Sequence, residues 1–273
     1  MPVQTFKHNK LDVCIKFRQI GDRTSKEAVL FFPSIYETEA SAFRIAPLFE
    51  KENLRFISIN TYNHAQFTDL MRTIRQLCLY LHLEKVHLVG CDLGGFICLQ
   101  IQAYPQFPAK IETLTLINSY TENSFFIPRS MSSFSVFGYL IAKSKLEEEL
   151  EQSGIGYETK SYAFVHKEIE YADKKNAAQK IQLRMSQSLP LKVNVDKQRI
   201  MSIEPLDRKL QIITPFISSS TFSDCKIALM KKGGDFPHLE EPEDLFTYLL
   251  CHIRKFMNQD ADAQNQNQEN QEN

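Results

Sequence analysis

The run Val86-His87-Leu88-Val89-Gly90-Cys91-Asp92-Leu93-Gly94-Gly95-Phe96 constrains the architecture of this chain more than any other stretch. An apolar strand ends in Gly-x-Asp-x-Gly-Gly, and residues 93–104 read as a helix stopped by Pro105. A strand that turns this abruptly into a helix brings two backbones closer than a Cβ permits, so glycine is required on both sides of the turn, here Gly90 and Gly94. The residue between them, Asp92, is lifted above the sheet on a strained turn. A carboxylate displayed in this way needs a chemistry of its own, or none.

The rest of the pattern supplies the sheet. Residues 28–32 (Ala-Val-Leu-Phe-Phe) form a continuous apolar run ended by Pro33, as expected of a strand covered on both faces. Residues 54–59, 86–89 and 114–117 repeat it, and residues 13–20 alternate before a Gly21-Asp22 turn. Between them Leu70, Met71, Ile74, Leu77, Cys78 and Leu81 share one helical face, with Thr68 as the predicted N-cap. Strands alternating with helices at this spacing predict the α/β class, a mostly parallel sheet with helices on both sides.

Residues 1–120 are therefore read as the N-terminal part of the core. Residues 121–198 lack strand-like runs but carry charged helical stretches at 143–152 and 162–187, so they are read as a helical cap insertion over the strand ends. The sheet resumes at 199–203 and 226–230, and Glu241-Pro242 opens a last helix, which completes the core over 199–258. Residues 259–273 contain only Asp, Ala, Gln, Asn and Glu and are expected to form a disordered polar tail.

Net charge is −1 and pI about 6.7, which gives no basis for electrostatic capture of nucleic acid or an anionic membrane. The six cysteines include no CxxC pair, and Cys14, Cys78, Cys91 and Cys98 lie in apolar patterns, so reduced core thiols in a cytosolic protein are expected. Residues 1–8 lack the apolar core of a signal peptide. The longest apolar stretch, 134–142, falls far short of the ~20 residues of a membrane span. The expectation is a soluble intracellular protein with no transmembrane segment.

The order of strand, turn with Asp92, helix, helical insertion, acid-bearing strand, and then Gly-Gly-Asp-Phe-Pro-His-Leu-Glu-Glu-Pro-Glu over 233–243 resembles the α/β-hydrolase superfamily. Within it the chain looks most like the maspardins, a family held to be non-enzymatic. The similar stretches are Leu-Glu-Lys-Val-His-Leu-Val-Gly at 83–90, Leu-Gly-Gly-Phe at 93–96, Leu-Ile-Asn-Ser-Tyr at 116–120 and Leu-Met-Lys-Lys-Gly-Gly-Asp-Phe-Pro at 229–237. The resemblance spans 28–256 and is weakest in the insertion.

The superfamily's catalytic slots can be read off this sequence. Active members carry a nucleophile at the turn, a histidine base after the last strand, and an acid that orients it. Here those slots hold Asp92 as nucleophile, Asp207 as acid with Glu204 as second candidate, and Asp235 where the base should be. Maspardins also lack the histidine but keep serine at the turn, so this chain departs from them at Asp92. Aspartate at that position resembles epoxide hydrolases and haloalkane dehalogenases, whose ester intermediate is hydrolysed by water that a histidine activates. His238 lies three residues past the slot and is read as pointing elsewhere; His64, His87 and His166 are read as structural. Active relatives also place His-Gly after the first buried strand to form an oxyanion hole. This chain has Phe32-Pro33-Ser34-Ile35, and proline has no N–H, which leaves the Leu93 amide as one expected donor.

Asp92, Asp207 and Asp235 are thus expected to project into one pocket, where mutual repulsion would raise a pKa or call for a cation. The opposing reading is that they hydrogen-bond turn amides and the pocket is inert. Three function classes follow. The first is a non-catalytic binding protein or adaptor, the second a hydrolase with Asp92 as carboxylate nucleophile, and the third a sensor that holds a small ligand or cation. No cofactor and no metal are assigned. The maspardin resemblance implies a cytosolic protein found partly at endosomal and trans-Golgi membranes, peripheral rather than spanning. It also implies a role in trafficking and a protein partner such as the cytoplasmic tail of a receptor.

Overall fold

The computed structural model describes residues 1–272 except 12, 62, 128–135, 157–158, 190–192 and 211–223, with backbone alone at 136–139 and 258–272. The strands are β1 (Val3–Lys7), β2 (Cys14–Ile20), β3 (Glu27–Phe32), β4 (Phe56–Ile59), β5 (Lys85–Cys91), β6 (Lys110–Ile117), β7 (Ile200–Pro205) and β8 (Lys226–Met230). They form one sheet in the order β1-β2-β4-β3-β5-β6-β7-β8. β1 and β2 run antiparallel to their neighbours, and the pairs from β4 to β8 are all parallel. Parallel strands place all their C-terminal ends along one edge, where the loops that can build a site collect.

The continuous apolar runs serve two cores at once. Successive strand residues point to opposite faces, so β3 sends Ala28, Leu30 and Phe32 into one core while Val29 and Phe31 enter the other. The first core is covered by α2 (Phe67–Tyr80), α3 (Leu93–Ala103) and the insertion. The second is covered by α1 (Ala46–Lys51) and α8 (Pro242–Glu272), where Phe49 stacks on Phe56 with ring centroids 4.7 Å apart.

Several elements differ from the sequence reading. β1 was not foreseen because it is polar and half-exposed, an edge strand held by backbone pairing to β2. α2 begins at Phe67 with Gln66 as an uncapped N-cap residue, so Thr68 lies inside the first turn. Phe67 is fully buried, edge-on against Phe96 at 5.4 Å, and this contact sets where the helix begins. The tail that composition predicts to be disordered continues α8 as far as Glu272. Its Gln, Glu and Ala residues are good helix formers, and a packed helix ahead of them removes the cost of nucleation.

Between β6 and β7 the described residues hold α4 (Val136–Gln152), α5 (Lys160–Tyr171) and α6 (Lys174–Met185), and no strand. The stretch 162–187, read as one helical run, is two helices. The chain is extended at Ala172, and the Asp173 side chain caps α6 by accepting from the Lys175 amide at 2.9 Å. Asp173→Ala is expected to lower stability by about 1 kcal/mol, read as a shifted denaturation midpoint with unchanged slope.

Candidate functional site

β3 and β5 are adjacent and in register, with Phe32 beside Gly90. This brings the loop after β3 against the turn between β5 and α3, where Asp92 sits. Its backbone, φ 51° and ψ −117°, is one that side chains rarely adopt. The turn is held by Asp92 N donating to Ile117 O at 3.0 Å and by the Gly95 and Phe96 amides donating to Asp92 O at 3.1 and 3.2 Å. Ser119 Oγ adds a third bond to that carbonyl at 3.0 Å. A Cβ on Gly94 would lie 2.0 Å from the Phe32 carbonyl oxygen, and one on Gly90 2.3 Å from that of Gly94. Both glycines are therefore required by backbone contact, as the spacing predicts.

The Asp92 carboxylate accepts from backbone amides on both sides. Ile35 N donates to Oδ2 at 3.1 Å, and the Leu93 amide is a second donor. This corrects the expectation drawn from Pro33. Proline supplies no donor, but the loop turns beyond it and presents the amide of Ile35 instead. The loop is set from two sides. Glu37 Oε2 accepts from Ser34 N at 3.1 Å, and the buried Lys180 of α6 donates to the carbonyls of Ser34, Ile35 and Glu37. The pair of amides that would stabilise an oxyanion is thus filled by the side chain of Asp92 itself. Burial pushes this carboxyl up to about 6, against the pull of the two amides and Arg184 and with a further push from Glu149.

The other two slot residues do not join it. Asp207, after β7, accepts from the amides of Gly233 and Gly234 in the loop after β8, at 3.3 and 2.8 Å. Asp235, after β8, accepts from the amides of Lys209 and Leu210 in the loop after β7, both at 2.9 Å. Each loop clamps the other, and both carboxylates are used in doing so. Neither lines the pocket that Asp92 lines. Burial raises the Asp235 carboxyl, with a smaller push from Asp207. Glu204 is occupied by Ser202 Oγ at 2.9 Å and Arg208 at 2.8 Å. The expected convergence of three acids therefore gives way to one acid in a pocket and two in a loop clasp. Among the described residues no group of three or more His, Cys, Asp or Glu side chains is arranged to hold a metal ion.

His238 is fully buried, and both its ring nitrogens are taken by groups other than Asp92. Its Nε2 lies 2.8 Å from Glu37 Oε1, its Nδ1 lies 3.7 Å from Cys91 Sγ, and its ring meets Phe31 at 5.2 Å. His64 bonds Thr73, His87 lies within the sheet between Thr113 and Glu27, and His166 stacks on Tyr162. The polar partners of Asp92 include no histidine among the described residues.

The pocket above Asp92 has a volume of about 360 Å³. Tyr36 and Phe126 give it aromatic walls, Glu149 and Arg184 come from the cap helices, and Lys209 from the loop after β7. Glu149 and Arg184 form a two-bond pair at 2.9 and 3.0 Å, Tyr36 Oη donates to Glu149 at 3.1 Å, and Arg184 lies over the Phe126 ring at 4.7 Å. The Tyr120 ring stacks on Phe96, and its buried hydroxyl has no partner among the described residues. Sequence reasoning found none of Tyr36, Glu149, Lys180 or Arg184. They lie in helices or loops with no telling spacing, and only the folded cap brings them to the turn.

This arrangement defines an α/β-hydrolase fold with an aspartate at the nucleophile turn. Residues 29–143 match the family described as alpha/beta hydrolase fold. A carboxylesterase from the thaumarchaeon Nitrososphaera gargenis superposes with TM-score 0.71 at 13% identity, covering 94% of this chain and all of the other. A haloalkane dehalogenase loop variant from Bradyrhizobium elkanii superposes with TM-score 0.67 at 13% identity, covering 96% and 100%. More particularly, the chain is similar to the maspardins. It is 22% identical to that of Homo sapiens over 251 residues, covering 86% of this chain and 78% of the relative. It is 21% identical to that of Danio rerio over 257 residues, covering 86% and 77%.

Proposed function

We propose that this protein is a catalytically silent α/β-hydrolase-fold binding protein. One observation carries the reading: the base slot holds Asp235, committed to the Lys209 and Leu210 amides, while His238 is turned to Glu37. A carboxylate nucleophile forms an ester that needs an activated water to leave, and removing the general base costs ~10²–10⁴ in rate. The similarity to maspardins supports a protein-binding role, with an adaptor in endosomal or trans-Golgi trafficking and a receptor tail as partner. That role is compatible with the absence, among the described residues, of a helix long and apolar enough to cross a membrane.

The second reading is a hydrolase with Asp92 as nucleophile. It is favoured by the amide pair of Ile35 and Leu93, which orients a carboxylate as such an attack requires. One experiment separates the two. The purified protein is incubated with phenyl acetate, styrene oxide and 1-bromobutane, with product and intact mass followed together. The expected result is no turnover above the protein-free rate. Sustained product formation abolished by Asp92→Asn would establish the hydrolase instead.

A further inference from the structure

Among the described residues that line the pocket above Asp92, three of the four charged side chains have charged or carbonyl partners: Lys209 donates its ammonium to the Gly154 carbonyl at 2.7 Å. Glu149 and Arg184 neutralise each other in their two-bond pair. The Asp92 carboxylate has only the Ile35 and Leu93 amides as hydrogen-bond partners among the described residues, and it lines the pocket. A carboxylate has room for about four hydrogen bonds, so its remaining capacity is open to an occupant. Beside it stand the rings of Tyr36 and Phe126.

This set selects among ligand chemistries. An anion would face Asp92 and Glu149, while Arg184 is committed to Glu149 and Lys209 to the Gly154 carbonyl. Among the described lining residues a metal ion would find only those two carboxylates. The oxygen of an ester or amide cannot enter the amide pair, because Asp92 fills it. An organic cation meets an unpaired carboxylate and aromatic walls, both of which attract it. A volume of about 360 Å³ suits a small molecule. We propose that this pocket binds a small primary amine, its ammonium on the Asp92 carboxylate and its apolar body between Tyr36 and Phe126. The proposal rests on the reading of a non-catalytic binding protein and names what its pocket takes.

The charged and titratable groups around Asp92 give the binding a pH signature. They are Glu149 on α4, Lys180 and Arg184 on α6, Lys209 after β7, Tyr36 after β3, Tyr120 after β6, and the neighbouring Cys91. Burial raises both tyrosines and the thiol, so they stay neutral. Against the opposing effect of burial, the Arg184 pair keeps Glu149 below its usual range and Arg184 above its own. Burial lowers Lys180 to about 8. Asp92, lifted to about 6, changes charge between pH 5 and 7.

The test is calorimetric titration of the full chain with 2-phenylethylamine at about pH 7.5 and about pH 5. The neutral and anionic analogues are 2-phenylethanol and 3-phenylpropionate. The amine is expected to bind saturably and the two analogues not at all. Affinity should fall about tenfold at the lower pH as Asp92 takes up a proton. Asp92→Asn, shown folded by circular dichroism, should lose at least about tenfold in affinity. No saturable amine binding, equal binding of the alcohol, or binding unchanged in Asp92→Asn would each overturn the proposal. Turnover of phenyl acetate or styrene oxide would overturn the non-catalytic reading and leaves the amine result to be judged by itself.

Discussion

Replacing His238 by alanine is expected to destabilise the protein by about 3–5 kcal/mol. His238 and Glu37 are both fully buried and 2.8 Å apart. Burial pushes the Glu37 carboxyl up, yet the His238 ring and the Ser34 bonds hold it below its ordinary 4.5. Without the ring, a buried charge keeps only its Ser34 bonds, and the loop that carries Ile35 loses one of its two anchors. The double variant Glu37→Gln with His238→Gln should recover part of the loss, because no unpaired charge remains. Because the Glu37 value is depressed by folding, its stabilisation is complete above about 4.5 and disappears as pH falls below that. Urea denaturation of wild type, His238→Ala and the double variant measures this. A single-variant loss below about 1 kcal/mol would mean the pair does not hold the loop.

Asp92→Asn is expected to act in the opposite direction, raising stability at neutral pH by about 1–2 kcal/mol. Burial lifts the Asp92 carboxyl to about 6 from 3.8. Between those values the folded protein holds the proton more tightly than the unfolded chain. Stability therefore falls as pH rises through the window, and the penalty is complete above about 6. A shift of about two units corresponds to ~3 kcal/mol, and access of water through the pocket reduces it. Asparagine keeps an acceptor for the Ile35 and Leu93 amides and removes only the charge. The gain should vanish at about pH 3.5, where both side chains are neutral. A gain that persists there would place its origin outside the charge of Asp92. The source is burial, not repulsion among three acids, so Asp207→Ala and Asp235→Ala should lower stability by orphaning the loop amides they bind.

A carboxylate kept at such a cost, on a strained turn, is what a binding or reactive group looks like. The loop clasp of Asp207 and Asp235 has the opposite character. Each acid satisfies two amides of the other loop, and neither lines the pocket above Asp92.

Local pattern alone determined the buried strands of the sheet and the turn. Apolar runs such as 28–32, too short for a buried helix and ended by a proline, read as strands covered on both faces. Glycine at 90 and 94 around Asp92 specified the turn, because a Cβ at either position would collide with main chain. What surrounds Asp92 was decided by tertiary structure. Ile35 donates to it because β3 lies beside β5, and Lys180, Glu149 and Arg184 arrive from a cap more than fifty residues away in sequence. The direction in which Asp207, Asp235 and His238 point was equally hidden. An aspartate or histidine in a loop turns to whichever donor, acceptor or charge the neighbouring loop presents, and no spacing within its own segment records that choice.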